Sequence, residues 1–205
     1  MQRLVFLTIG VLCQIAPAQE KSPEILGRWY TVERSNGGIG AMIEFLPVGT
    51  VKYGPGAIVL FTYTFDAQKV TLKFVDPDKG PQPDSIMTVL KLSADKMTLQ
   101  RDNAPAEELV RAGNPEDRGR LLLGNWIAAP RDMGGKKMSS NWRFRADGSG
   151  VFTLPFSESA GQYELMKNVI RLNVGNAISV EGPISWEGDI LVLPGKRSPT
   201  KLHRF

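Results

Sequence analysis

Hydrophobic and polar residues alternate with a period of two in several short segments of the chain. Residues 70–74, 97–100, 142–145 and 170–173 each place an apolar side chain at every second position. Such alternation is typical of β-strands that bury one face. Turn-forming residues such as Gly54-Pro55-Gly56 separate these segments at intervals of about ten residues. The pattern predicts an all-β protein made of many short antiparallel strands.

The same pattern occurs twice along the chain. Leu26-Gly27-Arg28-Trp29 recurs as Leu123-Gly124-Asn125-Trp126, and a Gly-Gly pair begins eight residues after each Trp, at Gly37-Gly38 and Gly134-Gly135. Further matches follow in register: Phe45 with Phe144, Gly49 with Gly148, Tyr63 with Tyr163, and Arg111 with Arg204. The repetition predicts two domains of common ancestry, residues 23–113 and 119–205, joined by a turn-rich linker at 114–118.

Residues 105–111 are the one stretch with a helical period. Asn103 could cap a short helix there. Alignment with the second copy instead makes residues 109–111 the last strand of the first copy. We favour the strand, and the short helix remains the alternative.

Many short antiparallel strands form either a sandwich or an up-and-down barrel. A Trp on the first strand and an Arg on the last become neighbours if a sheet closes on itself, and the guanidinium then covers the indole face. We therefore predict two tandem small antiparallel up-and-down β-barrels. Trp29 is expected to pair with Arg111 and Trp126 with Arg204 at the two closures. Closure also removes exposed sheet edges.

These residues give the chain a resemblance to the lipocalin-like branch of the calycin superfamily, in the simple form of secreted bacterial members. The second copy carries the fuller pattern: Gly124-x-Trp126, Phe144 before the turn Asp147-Gly148, Gly161-x-Tyr163 and Arg204. The resemblance implies a barrel around an apolar interior. It also implies, for much of the family, binding of small hydrophobic molecules. A shared fold transfers function less well than architecture.

The N-terminal segment has the layout of a signal peptide. Arg3 gives a positive start, residues 4–12 are apolar but too short to span a bilayer, and Ala16-Pro17-Ala18 is a small-residue cleavage site. We predict a signal peptide at residues 1–18 and export to the periplasm or the exterior, with no membrane span in the mature chain. A hydrophobic first strand or helix of the fold is the alternative. Cleavage would remove Cys13, the chain's single cysteine.

Composition argues against most catalytic and nucleic-acid functions. The chain has 205 residues, one Cys, one His and a formal net charge of +4, which is dispersed along the sequence. A small dispersed charge gives little support for nucleic-acid binding. His203 has no Ser or Cys nucleophile in a recognisable motif, so a packed or surface histidine is the favoured interpretation. We expect a protein that is not an enzyme and has no cofactor and no metal site.

The remaining candidates concern binding. Tyr63, Trp142, Phe144 and Tyr163 are predicted to face the barrel interiors, where a core role is favoured over ligand contact. The loops at Gly37-Gly38 and Gly134-Gly135 are predicted to lie over the open barrel ends. Lys136 and Lys137 would then stand at the mouth of the second barrel, which suits an amphipathic anion such as a fatty acid. The leading function is binding of a small apolar or amphipathic molecule. The alternative is a protein-recognition module of the cell envelope, such as a protease inhibitor.

Overall fold

The computed structural model of the protein describes residues 25–35, 37–74, 83–102, 104–113 and 121–205. The described chain is all-β, apart from one turn of 3-10 helix at Pro47–Gly49. The predicted signal peptide at 1–18 and the predicted linker at 114–118 lie outside the described residues. Across the described ranges, no helix has the length and hydropathy needed to cross a membrane.

Eighteen strands follow one another along the described residues. They are β1 (Gly27–Thr31), β2 (Ile39–Phe45), β3 (Thr50–Asp66), β4 (Lys69–Phe74), β5 (Ser85–Leu92), β6 (Lys96–Arg101), β7 (Glu107–Ala112), β8 (Gly124–Ala128), β9 (Arg131–Asp132), β10 (Lys137–Met138), β11 (Asn141–Phe144), β12 (Ser149–Pro155), β13 (Ser159–Met166), β14 (Val169–Val174), β15 (Ile178–Pro183), β16 (Ser185–Glu187), β17 (Ile190–Leu193) and β18 (Thr200–Arg204). β7 confirms the strand interpretation of residues 109–111, and Asn103, the predicted helix cap of the alternative, lies outside the described residues.

Eight of these strands form a closed antiparallel barrel. In hydrogen-bonded order they are β3, β4, β5, β6, β7, β8, β11 and β12, and β12 returns to β3 along residues 149–155 and 56–62. The predicted alternation is confirmed here, because Val70, Leu72, Met97 and Leu99 all point into the buried core. Period-two patterning thus selects the inner face of each strand correctly.

The remaining strands of the large sheet form what we call the flanking sheet. Its hydrogen-bonded order is β15, β14, β13, the first part of β3, β2, β1, β18, β17 and β16. β15 and β16 are consecutive in the chain and are separated only by Ile184. The flanking sheet surrounds its own core, in which Trp29, Phe45, Ile170 and Leu172 are buried. A third, smaller core lies between the closed barrel and the flanking sheet and consists of Tyr30, Ile58, Val151 and Phe205.

Strand pairing crosses the predicted division at 23–113 and 119–205. β7 pairs with β8, both β12 and β13 pair with β3, and β1 pairs with β18. The closed barrel therefore combines β3 to β7 of the first copy with β8, β11 and β12 of the second copy. The flanking sheet combines β1, β2 and part of β3 with β13 to β18. The observed pairing is an interlocked sheet system, in contrast to the predicted barrel from each copy.

The physical reason for the exchange is the length of β3. This strand has 17 residues and runs from one core into the other. The predicted turn at Gly54-Pro55-Gly56 is wrong, because these residues pair with β2 inside β3 and the chain does not reverse there. Gly54 instead permits close packing, since a Cβ at this position would collide with the carbonyl oxygen of Ser157. These glycines mark a close backbone approach, which is the other common reason for glycine in a strand.

Candidate functional site

The structure contains two Trp–Arg pairs, and their partners are exchanged relative to the prediction. The guanidinium carbon of Arg204 lies 5.0 Å from the ring centroid of Trp29, and that of Arg111 lies 4.2 Å from Trp126. In each pair the two residues stand opposite each other on neighbouring strands. The predicted pairs, Trp29 with Arg111 and Trp126 with Arg204, are wrong because β1 pairs with β18 and β7 pairs with β8.

Both Trp–Arg pairs donate hydrogen bonds to backbone carbonyls of the residues that precede β1 and β8. The indole N–H of Trp29 donates to the Ile25 carbonyl at 2.7 Å, and that of Trp126 donates to the Leu122 carbonyl at 2.9 Å. Arg204 donates to the Leu26 carbonyl at 2.9 Å. Arg111 donates to the carbonyls of Ala94, Leu121 and Leu123. Both indoles are fully buried, so these four residues have a structural role.

The predicted interior tyrosines are also paired across the two copies. Tyr63 meets Phe144 edge-on at 5.1 Å between ring centroids, and its hydroxyl donates to the Arg145 carbonyl at 2.8 Å. Tyr163 meets Phe45 edge-on at 5.0 Å, and its hydroxyl donates to the Leu46 carbonyl at 3.0 Å. Burial raises the pKa of both phenols above 10.0, and Asp147 adds to the shift at Tyr63. These side chains pack the two cores.

One end of the closed barrel is open, and we call this cavity of about 470 Å³ the barrel mouth. The hairpin formed by β9 and β10, which carries Gly134 and Gly135 at its tip, forms one side of it. The apolar side chains that line the mouth are Met87, Leu99, Met133, Met138, Trp142, Phe152 and Leu154. The interior below is filled by the protein's own side chains. Space for another molecule therefore exists at the mouth.

The polar groups of the barrel mouth are largely satisfied by one another. Arg131 lies 3.6 Å from the Glu107 carboxylate, and the Ser140 hydroxyl donates to that carboxylate at 3.2 Å. The exception is Trp142, whose indole nitrogen is buried and has no hydrogen-bond acceptor among the described residues. A buried donor without a partner costs about 1–3 kcal/mol.

The sequence predicts Lys136 and Lys137 at the mouth of the second barrel. In the structure both residues line a second cavity instead. This cavity of about 460 Å³, which we call the junction cleft, lies between the outer wall of the closed barrel and the flanking sheet. Arg28 and Lys52 of the flanking sheet line its other side. The first Gly-Gly loop lines neither cavity, because the Gly38 carbonyl accepts a hydrogen bond from the Ile58 N–H at 2.8 Å and holds the loop against β3.

Methionines supply the part of the mouth that sequence reasoning missed. Met133 and Met138 flank the second Gly-Gly pair, in the segment predicted to be a loop over the open end of the second barrel. Apolar residues on both sides of a loop tip were the available signal, since such residues require something to cover them. The junction cleft left no comparable signal, because its lining comes from segments that are far apart in the sequence.

No family profile, curated protein or solved structure matches the chain. Within the described residues, no group of three or more His, Cys, Asp and Glu side chains could hold a metal ion. His203 packs beside Tyr30, with 5.7 Å between their ring centroids. The fold and the two cavities are therefore the basis for assigning a function.

Proposed function

We propose that the protein binds a small apolar or amphipathic molecule at the barrel mouth. The carrying observation is an open, mainly apolar cavity of about 470 Å³ above an interior that is otherwise filled. This volume lies within the range of small-molecule sites, about 300–1,000 Å³. A packed interior limits the ligand to the mouth, so the bound molecule is expected to be short.

The chemistry of the lining favours a mainly apolar ligand. Met87, Met133 and Met138 offer flexible, polarisable side chains that adapt to ligands of different shape. Trp142 and Phe152, whose rings lie 4.6 Å apart, offer a rigid aromatic surface.

A titration with N-phenyl-1-naphthylamine, a neutral fluorescent probe, tests this proposal. We expect saturable fluorescence enhancement that is weakened about tenfold in Met133→Glu, because the new charge lies in the apolar mouth. Met166→Glu is the matched control, since Met166 is an equally flexible exposed residue on another hairpin. Equal affinity in both variants, or no saturable binding to the wild-type protein, would exclude ligand binding at the mouth.

We further propose that the flanking sheet is the second barrel of a tandem, lipocalin-like pair that arose by duplication. Equivalent positions have equivalent geometry, which supports a common origin. Gly27 and Gly124 both have φ of +113°, and each is followed two residues later by a buried Trp that donates to the carbonyl four residues before it. β15 and β16 do not pair with each other among the described residues, so a second closed barrel requires contacts between them across Ile184. Rapid amide hydrogen exchange along the outer edges of β15 and β16 would contradict the second barrel.

Export is part of the proposal and is supported by the layout of residues 1–18. The protein would act in the periplasm or outside the cell. Intact mass of the protein from its native envelope is expected to correspond to a chain that begins at Gln19. A chain that retains residues 1–18 would remove the argument for this compartment.

A protein-recognition module is the second candidate, and one residue favours it. Val48 has φ of +59° and is 99% exposed at the 3-10 turn before β3. A β-branched residue in the left-handed region is strained, and such strain occurs at functional sites. Native mass spectrometry separates the two candidates. A stoichiometric co-purifying protein that is lost in Val48→Gly supports recognition, whereas a retained small molecule supports ligand binding.

A further inference from the structure

Four basic side chains from separate parts of the chain line the junction cleft. Arg28 lies on β1, Lys52 on β3, and Lys136 and Lys137 on the second Gly-Gly hairpin. The cleft is distinct from the barrel mouth, although Met138 lines both cavities. Binding in the cleft therefore does not depend on binding at the mouth.

The acidic side chains of the cleft are already paired. Glu44 accepts from Arg28 at 2.9 Å, and Glu158 lies 3.1 Å from Lys52. Arg28 also donates to the side-chain oxygen of Asn141 at 2.6 Å, which fixes its position between the flanking sheet and the barrel wall. Glu44 and Glu158 are thus matched by two of the four basic side chains in the lining, and the main-chain oxygen of Phe205, which also lines the cleft, accepts from Arg143.

Lys136 and Lys137 supply the excess positive charge. Neither forms an ion pair with any part of the chain that the structure describes. Both residues are exposed, and both line the cleft together with the ion-paired residues of the flanking sheet. A concave surface with excess charge of one sign concentrates ligands of the opposite sign. The apolar part of the lining includes Met42, Tyr53 and Ile127.

We propose that the junction cleft binds a small organic oxyanion, with its charged oxygens at Lys136 and Lys137 and its apolar part against the cleft wall. A carboxylate and a phosphate monoester share this chemistry. Ammonium groups bind either as point charges, since their three donors are not fixed in a plane. Binding would also link the Gly-Gly hairpin to the flanking sheet. β9 and β10 pair only with each other, so the hairpin has few other backbone contacts.

The test uses 11-(dansylamino)undecanoate as a fluorescent probe and its methyl ester as the uncharged counterpart. The wild-type protein is expected to bind the acid saturably and the ester about tenfold more weakly. The double variant Lys136→Glu/Lys137→Glu is expected to lose about tenfold in affinity for the acid, because both attractive charges become repulsive. Lys69→Glu/Lys91→Glu changes the net charge equally, and its exposed lysines lie on β4 and β5 outside the cleft.

The proposal would be overturned by no saturable binding of the acid, by equal affinity for the acid and the ester, by equal losses in the two double variants, or by unchanged affinity in Lys136→Glu/Lys137→Glu. Competition by dodecanoate and by dodecyl phosphate distinguishes the two head groups. Hydrogen exchange gives a second readout, because binding is expected to slow exchange at residues 131–138 in the wild-type protein. Unchanged exchange there, despite saturation, would place the probe elsewhere. Circular dichroism verifies that each variant is folded.

Discussion

The exchanged Trp–Arg pairs give the sharpest test of the fold. Arg111→Ala and Trp126→Leu, alone and together, form a double-mutant cycle for a pair whose guanidinium carbon and ring centroid are 4.2 Å apart. Trp126 is 0% exposed, so the contact is shielded from water. A shielded cation–π contact stabilises by up to about 2 kcal/mol. We expect a coupling energy of about 1–2 kcal/mol in the free energy of unfolding.

The single substitutions are expected to cost more than the coupling. Arg111→Ala also removes hydrogen bonds to three backbone carbonyls, so we expect it to lower the free energy of unfolding by about 2–4 kcal/mol. Urea denaturation monitored by circular dichroism measures both quantities without relying on the fluorescence of the altered Trp.

The control cycle uses Arg111→Ala with Trp29→Leu, the pair predicted from the sequence. These residues belong to different cores, so their effects are expected to add within about 0.5 kcal/mol. Coupling between Arg111 and Trp29, with additivity between Arg111 and Trp126, would refute the exchanged strand order.

Three other predictions follow from the interlocked strands and the aromatic pairs. Fragments 23–113 and 119–205 are expected to show no cooperative unfolding alone and to gain it when mixed, because each core needs strands from both fragments. Thermal circular dichroism measures this, and independent folding of either fragment would contradict the pairing. Gly49→Ala is expected to destabilise more than Gly148→Ala in urea titrations. Both positions have positive φ, but a Cβ would lie 2.7 Å from a carbonyl oxygen at Gly49 and 3.5 Å at Gly148; the reverse order would contradict this packing. The raised pKa of Tyr63 means that the folded state disfavours the phenolate, so its contribution to stability is present below pH 10.0 and is lost above it. Tyr63→Phe is expected to reduce the alkaline loss of stability, and an unchanged pH profile would argue against burial of that hydroxyl.

Local patterning predicted the strands and their inner faces well, because side-chain alternation is a property of each strand by itself. Trp142 and Phe144 are predicted to face inward and do so. Strand partners are different, since period two carries no information on which strand lies alongside. The repeat correctly predicted that each Trp pairs with an Arg, but it predicted the wrong partners. Arg204 contacts Trp29, which belongs to the other copy. Only the length of β3, hidden by the apparent turn at Gly54-Pro55-Gly56, decides the exchange.

The site was less predictable for a related reason. The sequence predicts that Lys136 and Lys137 lie in a long loop over the open barrel end, whereas the structure places them on the hairpin of β9 and β10. The cavity that these lysines line depends on how the hairpin packs against the barrel wall. The flanking sheet, which is distant in sequence, forms the other half of that cavity. Non-local packing of this kind leaves no trace in the sequence around a residue.

The pairing of β1 with β18 bears on how quickly the protein can reach its native state. β1 pairs with β2 on one side, but its other neighbour is β18, where Arg204 stands opposite Trp29. β1 therefore acquires this second neighbour only when almost the whole sequence is present. Pairings between residues far apart in sequence carry a high loop-closure entropy and slow folding. The apolar faces of β1 and β2 would remain without their final cover during synthesis, a condition in which unpaired strands aggregate. Maturation of this chain is therefore expected to be slow and to depend on its late C-terminal strands.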